Sequence, residues 1–482
     1  MGRSQVLLKG QQEYSSDLLP TNQEARTWKT GHFFSIWMGS VHNVPSYVTI
    51  GGFFALGLSI WQVLLIIIIS SILLSAMMVL NGHAGSKHGI PFSILLRTSY
   101  GRKGAHFPGV LRGVIAAIMW FGLQTYAGSL AVSILLGKFW PSFLTLGGSF
   151  TFLGLTLPTL LSFLLFWAIN VLFIFAGMKR LGKLTKIVTP FVFIVFGGMS
   201  IWSINLAGGI TPILNYQAKG FQGNSFFMLM TCISAIMATW VAQILSVSDV
   251  TRFSRSNREQ SIGQIAGLLT TYLLFAVASI SIIVGSEIAF GVPIWNVLEV
   301  VERFDNQFAI ILSLLTICLS TLTVNIVGNI IPAGYQLATL FPNRLTFKTG
   351  ALTATIAGIV IMPWKLMENP TSIFMFLNIV GGMLSPVIGV MLTHYFFICK
   401  KEINVEELYS LNGSNQYAYG INIPAMLATI LAGFISLLGS FVPKLAPLSS
   451  ISWFTGILLA VLFYLLLFNS SKLVEFRSLK QN

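Results

Sequence analysis

The stretch WMGSVHNVPSYV (residues 37–48) places Gly39, His42, Asn43 and Pro45 in the middle of an otherwise apolar segment. Pro45 has no amide hydrogen and its ring crowds the turn before it, so carbonyls near Val41 lose helical partners; Gly39 loosens the same turn. Unpaired backbone groups at membrane depth are tolerated only where they line a cavity or bind something. Free carbonyls suit a small cation, and Asn43 suits a polar ligand. A proline kink relieved by a neighbouring serine or a water is the plainer alternative, and for one proline alone it would be preferred. The His-Asn pair at the kink turns the reading toward a broken helix built around a ligand.

The rest of the chain shows what kind of membrane protein carries that break. Of 482 residues, 55% are hydrophobic and 9% charged, too little charge to cover a soluble surface. Apolar runs predict twelve spans, at about 32–57, 60–80, 109–136, 155–177, 184–204, 224–246, 263–286, 308–340, 347–366, 370–398, 424–442 and 450–468. The net charge of +14 could suggest nucleic acid, but its distribution argues against that. With the N-terminus in the cytoplasm, all Lys and Arg fall on the inner side except Lys138, Lys219, Arg303, Lys365 and Lys444. That asymmetry predicts both termini in the cytoplasm of a multi-pass protein of the cell membrane, embedded in lipid, with no nucleic-acid partner. Cys232, Cys318 and Cys399 lie in or next to spans, which suggests neither a disulfide framework nor a metal cluster. The polar first 30 residues have no signal-peptide core, so span 1 is the first inserted segment.

Two segments between spans look alike: GIPFSILLRTSYG (89–101) after span 2 and GVPIWNVLEVVERFD (291–305) after span 7. Pro91 and Pro293 are 202 residues and five spans apart, and an odd number of spans puts the copies on opposite sides of the membrane. This is the layout of an inverted-repeat transporter, with its site at the midplane. The expected organisation is a tail (1–31), a first repeat (32–204, spans 1–5), a second repeat (224–398, spans 6–10), two further spans (424–468) and a tail (469–482). The same offset carries the break near His42 to about residue 244 in span 6, and IMWFGLQTY (118–126) of span 3 to about 320–328 in span 8.

Trp120 and Gln124 are four residues apart on span 3 and share a face. An indole beside an amide can stack a flat ring and read its edge. Trp240 lies in span 6 with Gln243 near it. Either tryptophan alone would be a packing residue; two at repeat-related depths, each near a carboxamide, favour stacking. Span 8 holds Thr321, Thr323, Asn325 and Asn329. Helix-to-helix polar glue is the alternative there, and a ligand contact is expected of Asn329. No span centre carries Lys, Arg, Asp or Glu, so the ligand should be neutral and flat with amide-like donors and acceptors. His42 and His394 are the titratable side chains placed deep.

The motifs DLLPTNQEARTW, IWMGSVHNVPSY, LNGHAGSKHGIPF, MWFGLQTYAGS, NIIPAGY and MPWKLMENPTSIF resemble the nucleobase–cation symporters, the allantoin permeases most closely, over about residues 17–470. The resemblance implies an all-α fold of twelve transmembrane helices, a leucine-transporter-like five-plus-five inverted repeat with two C-terminal helices, working by alternating access. It implies that Trp120 and Trp240 sandwich the ring while Gln124, Asn43 and Asn329 hydrogen-bond it. In sodium-coupled members, span 1 carbonyls and span 8 hydroxyls hold the ion; the corresponding positions are the carbonyls of Gly39, His42 and Ser320 and the hydroxyl of Thr323. Val324 stands where the pattern has a second hydroxyl. A hard cation wants oxygens, so the expectation leans from sodium toward protons, with His42 or His394 as carrier. His394 also stands where relatives commonly have Asp.

The expected function is cation-coupled import of allantoin or a related ureide or hydantoin by a monomer, with no cofactor. Uracil or cytosine transport is the alternative within the class. An enzyme would need a metal cluster, a Ser/His/Asp set or a carboxylate pair in the spans, and none is visible. A channel would need a filter motif, which is also missing.

Overall fold

The computed structural model describes residues 14–221, 223–368, 370–409 and 417–479. Among the described residues, ten helices are long and apolar enough to cross a membrane: Ile60–His88, His106–Phe139, Leu157–Phe175, Arg180–Leu206, Ser225–Ser246, Asn257–Phe290, Gln307–Leu340, Ser372–Ile398, Ile423–Ser440 and Ser452–Asn469. These are spans 2–8 and 10–12 of the sequence reading. Span 1 is two half-helices, Thr30–Val41 and Val44–Ala55, separated at His42 and Asn43. Span 9 is a 14-residue helix, Phe347–Val360. It stops short of the expected 366 because Met362 adopts a left-handed φ of 52° and Pro363 follows; proline cannot continue the ladder and keeps its predecessor out of helical geometry.

Matching ends mark the repeat. Span 2 ends at Gly89 with φ 75°, its N–H bonded to the Gly85 carbonyl. Span 7 ends at Gly291 with φ 73°, its N–H bonded to the Glu287 carbonyl. Both are left-handed C-terminal caps that glycine adopts without strain, and they stand at the 202-residue offset read from the prolines. Each leads into a short helix, Phe92–Tyr100 in one copy and Val297–Glu302 in the other. A two-stranded antiparallel ribbon, Thr151–Phe152 with Leu155–Thr156, lies between spans 3 and 4.

Two boundaries differ from the sequence reading for reasons of packing. Span 2 runs to His88 rather than 80, because the polar NGHAGSKH end leans on protein. Gly82 and Gly85 let it approach Thr251 and Ser248 so closely that an added Cβ would meet them within 3.0 Å. The expected N-terminal tail is a packed strap over its described part, with Leu18, Leu19 and Trp28 buried. Arg26 Nη1 donates to the Ser86 carbonyl (3.1 Å), Arg252 Nε to Thr21 Oγ1 (2.7 Å), and the Tyr409 hydroxyl to the Leu18 carbonyl (2.6 Å). At the other end the span 12 helix continues to Leu479. Residues 1–13 and 480–482 of the two expected tails lie outside the described residues.

Candidate functional site

The break in span 1 frees two particular carbonyls. In an unbroken helix the Gly39 carbonyl would take the Asn43 N–H and the His42 carbonyl would take the Ser46 N–H. Here the Asn43 N–H turns to the Val41 carbonyl (3.0 Å), and the Ser46 N–H turns to the Asn43 carbonyl (3.1 Å). Asn43 itself is occupied by the break. Its Nδ2 donates to the Ser40 carbonyl at 2.8 Å, and its Oδ1 accepts from the Ser46 N–H at 3.2 Å, capping the second half-helix. The side chain expected to hold a ligand therefore holds the loop that frees the carbonyls.

Span 8 faces that break. A Cβ on Gly39 would stand 3.4 Å from Thr323 Cγ2 and 3.6 Å from Val188 of span 5. The Thr323 hydroxyl donates to the Leu319 carbonyl (2.9 Å), which leaves its oxygen lone pairs available. Ser320 lies within a continuous helix, Gln307–Asn325, so its carbonyl belongs to the ladder. Its buried hydroxyl has no partner, and that is the oxygen it can offer. His42 packs against Phe196 (ring centroids 4.2 Å), Phe275 (5.7 Å) and Tyr47, with Nδ1 3.1 Å from the Tyr47 hydroxyl. His394 is remote from this group: Nδ1 lies 2.7 Å from the Tyr464 hydroxyl of span 12 and Nε2 3.4 Å from that of Tyr417.

The expected ring-binding residues lie in the same core. Trp240 meets Trp37 edge-on at 5.8 Å and the ring of Tyr272 at 6.5 Å. Trp120 meets Phe376 of span 10 edge-on at 5.2 Å. Among the described residues the two expected indoles share no ring contact with each other. Gln243 approaches Gly328, whose added Cβ would lie 2.9 Å from Nε2, and Gly328 precedes Asn329. Thr125, next to Gln124, accepts from Asn325 Nδ2 at 3.1 Å, which ties span 3 to the same turn of span 8. Among the described residues, the buried polar atoms with no protein partner include, besides the Ser320 hydroxyl, Trp37 Nε1, Trp120 Nε1, Gln124 Oε1, Gln243 Oε1 and Asn329 Oδ1. Each such orphan costs about 1–3 kcal/mol unless something fills it.

Trp240 borders a crevice of only about 10 Å³ with Ser46, Thr49, Ile236 and Tyr272. A larger cavity of about 450 Å³ lies between the N-terminal strap and span 8, lined by Asp17, Thr21, Phe173, Arg252, Ile330 and Tyr335 among others.

One charged residue escaped the sequence reading. Arg112, taken there among the inner-side charges although it falls at the start of the expected span 3, is fully buried inside that span, in a π-helical stretch Val110–Ala116. Its Nε donates to the Ala242 carbonyl, and its Nη2 to Ser246 Oγ (2.8 Å) and the Gly328 carbonyl (2.6 Å). Asn81 Nδ2 donates to the carbonyls of Ile244 (2.5 Å) and Leu245 (3.0 Å). The last carbonyls of a helix have no partner of their own; span 6 ends inside the protein at Ser246, where Asn81 serves the carbonyls of Ile244 and Leu245 and Arg112 reaches the Ala242 carbonyl one turn earlier. The expected counterpart of the span 1 break, near 244, is this buried helix end. Asp249 follows, with Oδ1 accepting from the Phe92 N–H (2.8 Å). Burial pushes its carboxyl up to about 7, against the opposing pull of that N–H, Arg252 and Arg112.

A family model described as permease for cytosine/purines, uracil, thiamine, allantoin matches residues 20–456. The chain belongs to that permease family. This permease is 53% identical over 460 residues to a permease of Escherichia coli strain K12, covering 95% of each chain. It is 45% identical over 454 residues to the allantoin permease of Bacillus subtilis strain 168, covering 94% of this chain and 92% of that one. Its fold is similar to that of Mhp1, a nucleobase-cation-symport-1 family transporter solved in a closed conformation with bromovinylhydantoin bound, with a TM-score of 0.79 at 22% identity, over 94% of this chain and 95% of that one. It is a polytopic transporter of the inverted-repeat type and not an enzyme.

Proposed function

We propose that this permease imports allantoin, or a closely related ureide or hydantoin, across the cell membrane by alternating access coupled to a cation. The observation that carries the reading is the set of buried, unpartnered polar atoms on Trp37, Trp120, Gln124, Gln243 and Asn329 of spans 1, 3, 6 and 8. Two indole N–H donors and three carboxamide oxygens match a flat neutral ring whose edge alternates carbonyl and N–H. Trp120 and Trp240 stack the ring; Gln124 and Asn329 bond its edge, joined by Trp37 and Gln243. Asn43 acts through the shape of the break. The name of the Bacillus relative supports allantoin over uracil or cytosine. The repeat halves are 32–204 and 224–398, the termini face the cytoplasm, and one chain holds the whole site. Gln124→Leu should weaken allantoin binding about tenfold, because a ligand donor is left unpaired in a dry site. Equal loss for permeants with and without that edge would indicate misfolding and count against recognition by Gln124. Competition against labelled allantoin with hydantoin, uracil and cytosine tests the substrate class; preference for a nucleobase would overturn it.

The coupling ion that this arrangement supports is sodium, the reverse of the leaning drawn from Val324. Gly39 and His42 offer carbonyls released from the ladder, Thr323 a free lone pair, and Ser320 a buried hydroxyl in place of the missing one. His42 sits among Tyr47, Phe196 and Phe275, with no acidic side chain in any span centre to accompany a charge. Val324→Thr adds an oxygen and should lower the sodium concentration for half-maximal uptake severalfold; Ser320→Ala should raise it. Uptake driven by a pH gradient in sodium-free buffer would contradict this assignment.

A further inference from the structure

A buried chain of polar side chains runs from span 4 to the site. Asn170 Nδ2 donates to the Phe166 carbonyl at 2.8 Å, and Asn170 Oδ1 accepts from Asn325 Nδ2 at 3.1 Å. The same Nδ2 donates to Thr125 Oγ1 at 3.1 Å. Asn325 Oδ1 then accepts from Asn329 Nδ2 at 2.8 Å, and Asn329 Oδ1 is left without a partner. All four residues are buried.

A carboxamide can sit either way round, and its neighbours decide which. Here both deciding neighbours are main-chain carbonyls, which can only accept. The Phe166 carbonyl demands the amide hydrogens of Asn170, so the Asn170 oxygen faces Asn325. The Phe121 carbonyl takes the Thr125 hydroxyl proton at 2.7 Å, so Thr125 turns a lone pair to Asn325. Both require the NH₂ of Asn325 on their side. Its oxygen therefore faces Asn329 and consumes the Asn329 NH₂. Flipping Asn329 alone would set two oxygens together; flipping the whole chain would set oxygens against two main-chain carbonyls.

We propose that Asn170 and Thr125 are positioning residues that hold Asn329 as a hydrogen-bond acceptor, so that the permeant must present an N–H to span 8. The inference rests on the reading of the site given above. It defines the substrate class more narrowly: imide or ureide rings qualify, and a ring with only acceptors on that edge is refused.

The test is a cycle of binding measurements with labelled allantoin on the purified full-length protein. Asn170→Ala should raise Kd about tenfold, as expected when an acceptor loses its fixed orientation. In an Asn329→Ala background the same change should move Kd less than twofold, because Asn170 acts through Asn329. Thr125→Val, nearly the same size, runs the identical cycle should the alanine variant fail to insert. Equal losses in both backgrounds, or wild-type binding by both single variants, would overturn the positioning role. Allantoin binding that ignores Trp120→Ala would overturn the site reading beneath it; a failed cycle with Trp120-sensitive binding overturns this inference alone.

Discussion

Arg112→Leu is expected to destabilise the protein by several kcal/mol and to abolish uptake. Arg112 is fully buried and serves the Ala242 and Gly328 carbonyls and the Ser246 hydroxyl. Leucine fills part of the volume but removes the donor to the Gly328 carbonyl of span 8, whose helical partner four residues on, Pro332, has no N–H, and leaves the Ala242 carbonyl of span 6 with Ser246 Oγ as its remaining side-chain donor (3.2 Å). Each unpaired acceptor costs about 1–3 kcal/mol. The lost guanidinium also stood at the negative end of span 6, worth up to about 2 kcal/mol in a partly buried setting. Arg112→Lys should lie between, since an ammonium lacks the planar fork that reaches both spans at once. Thermal unfolding in detergent, followed by monodisperse elution, ranks the three proteins. A leucine variant that melts and transports like the wild type would remove Arg112 from this account.

The second large effect is expected at the two indoles. Trp120→Ala and Trp240→Ala should each weaken allantoin binding by about tenfold or more, because stacking contributes about 0.5–1.5 kcal/mol beyond the area buried. Trp240→Ala should be the more damaging, since Trp240 also packs on Trp37 and Tyr272. Phenylalanine at either position should retain part of the affinity. Unchanged apparent affinity in both alanine variants, correctly inserted, would show that the ring lies elsewhere.

The parts of this structure legible in the sequence are those set by local chemistry. Pro45 and Gly39 announced the broken helix, and the Gly-x-Pro pair at 89–91 and 291–293 announced the repeat, because glycine and proline act on the backbone wherever they stand. The span ends were less legible. Span 2 overran its apolar stretch because Gly82 and Gly85 gave its polar end a protein surface to lie on. Asn43 was recognised as important, but its amide serves the break it stands in. Arg112 and Asn170 could not be read at all. One looked like an inner-side charge and the other like a lone polar residue, since their partners lie 130 and 155 positions away in the chain.

The central claim is that a cation gradient drives this permease to concentrate a flat ureide at the buried site. Purified protein in liposomes, with labelled allantoin at equal concentration on both sides, tests it directly. An inward sodium gradient should raise internal allantoin above the external level, and an ionophore that dissipates the gradient should abolish the excess. Equilibration without accumulation under both sodium and proton gradients would contradict the account.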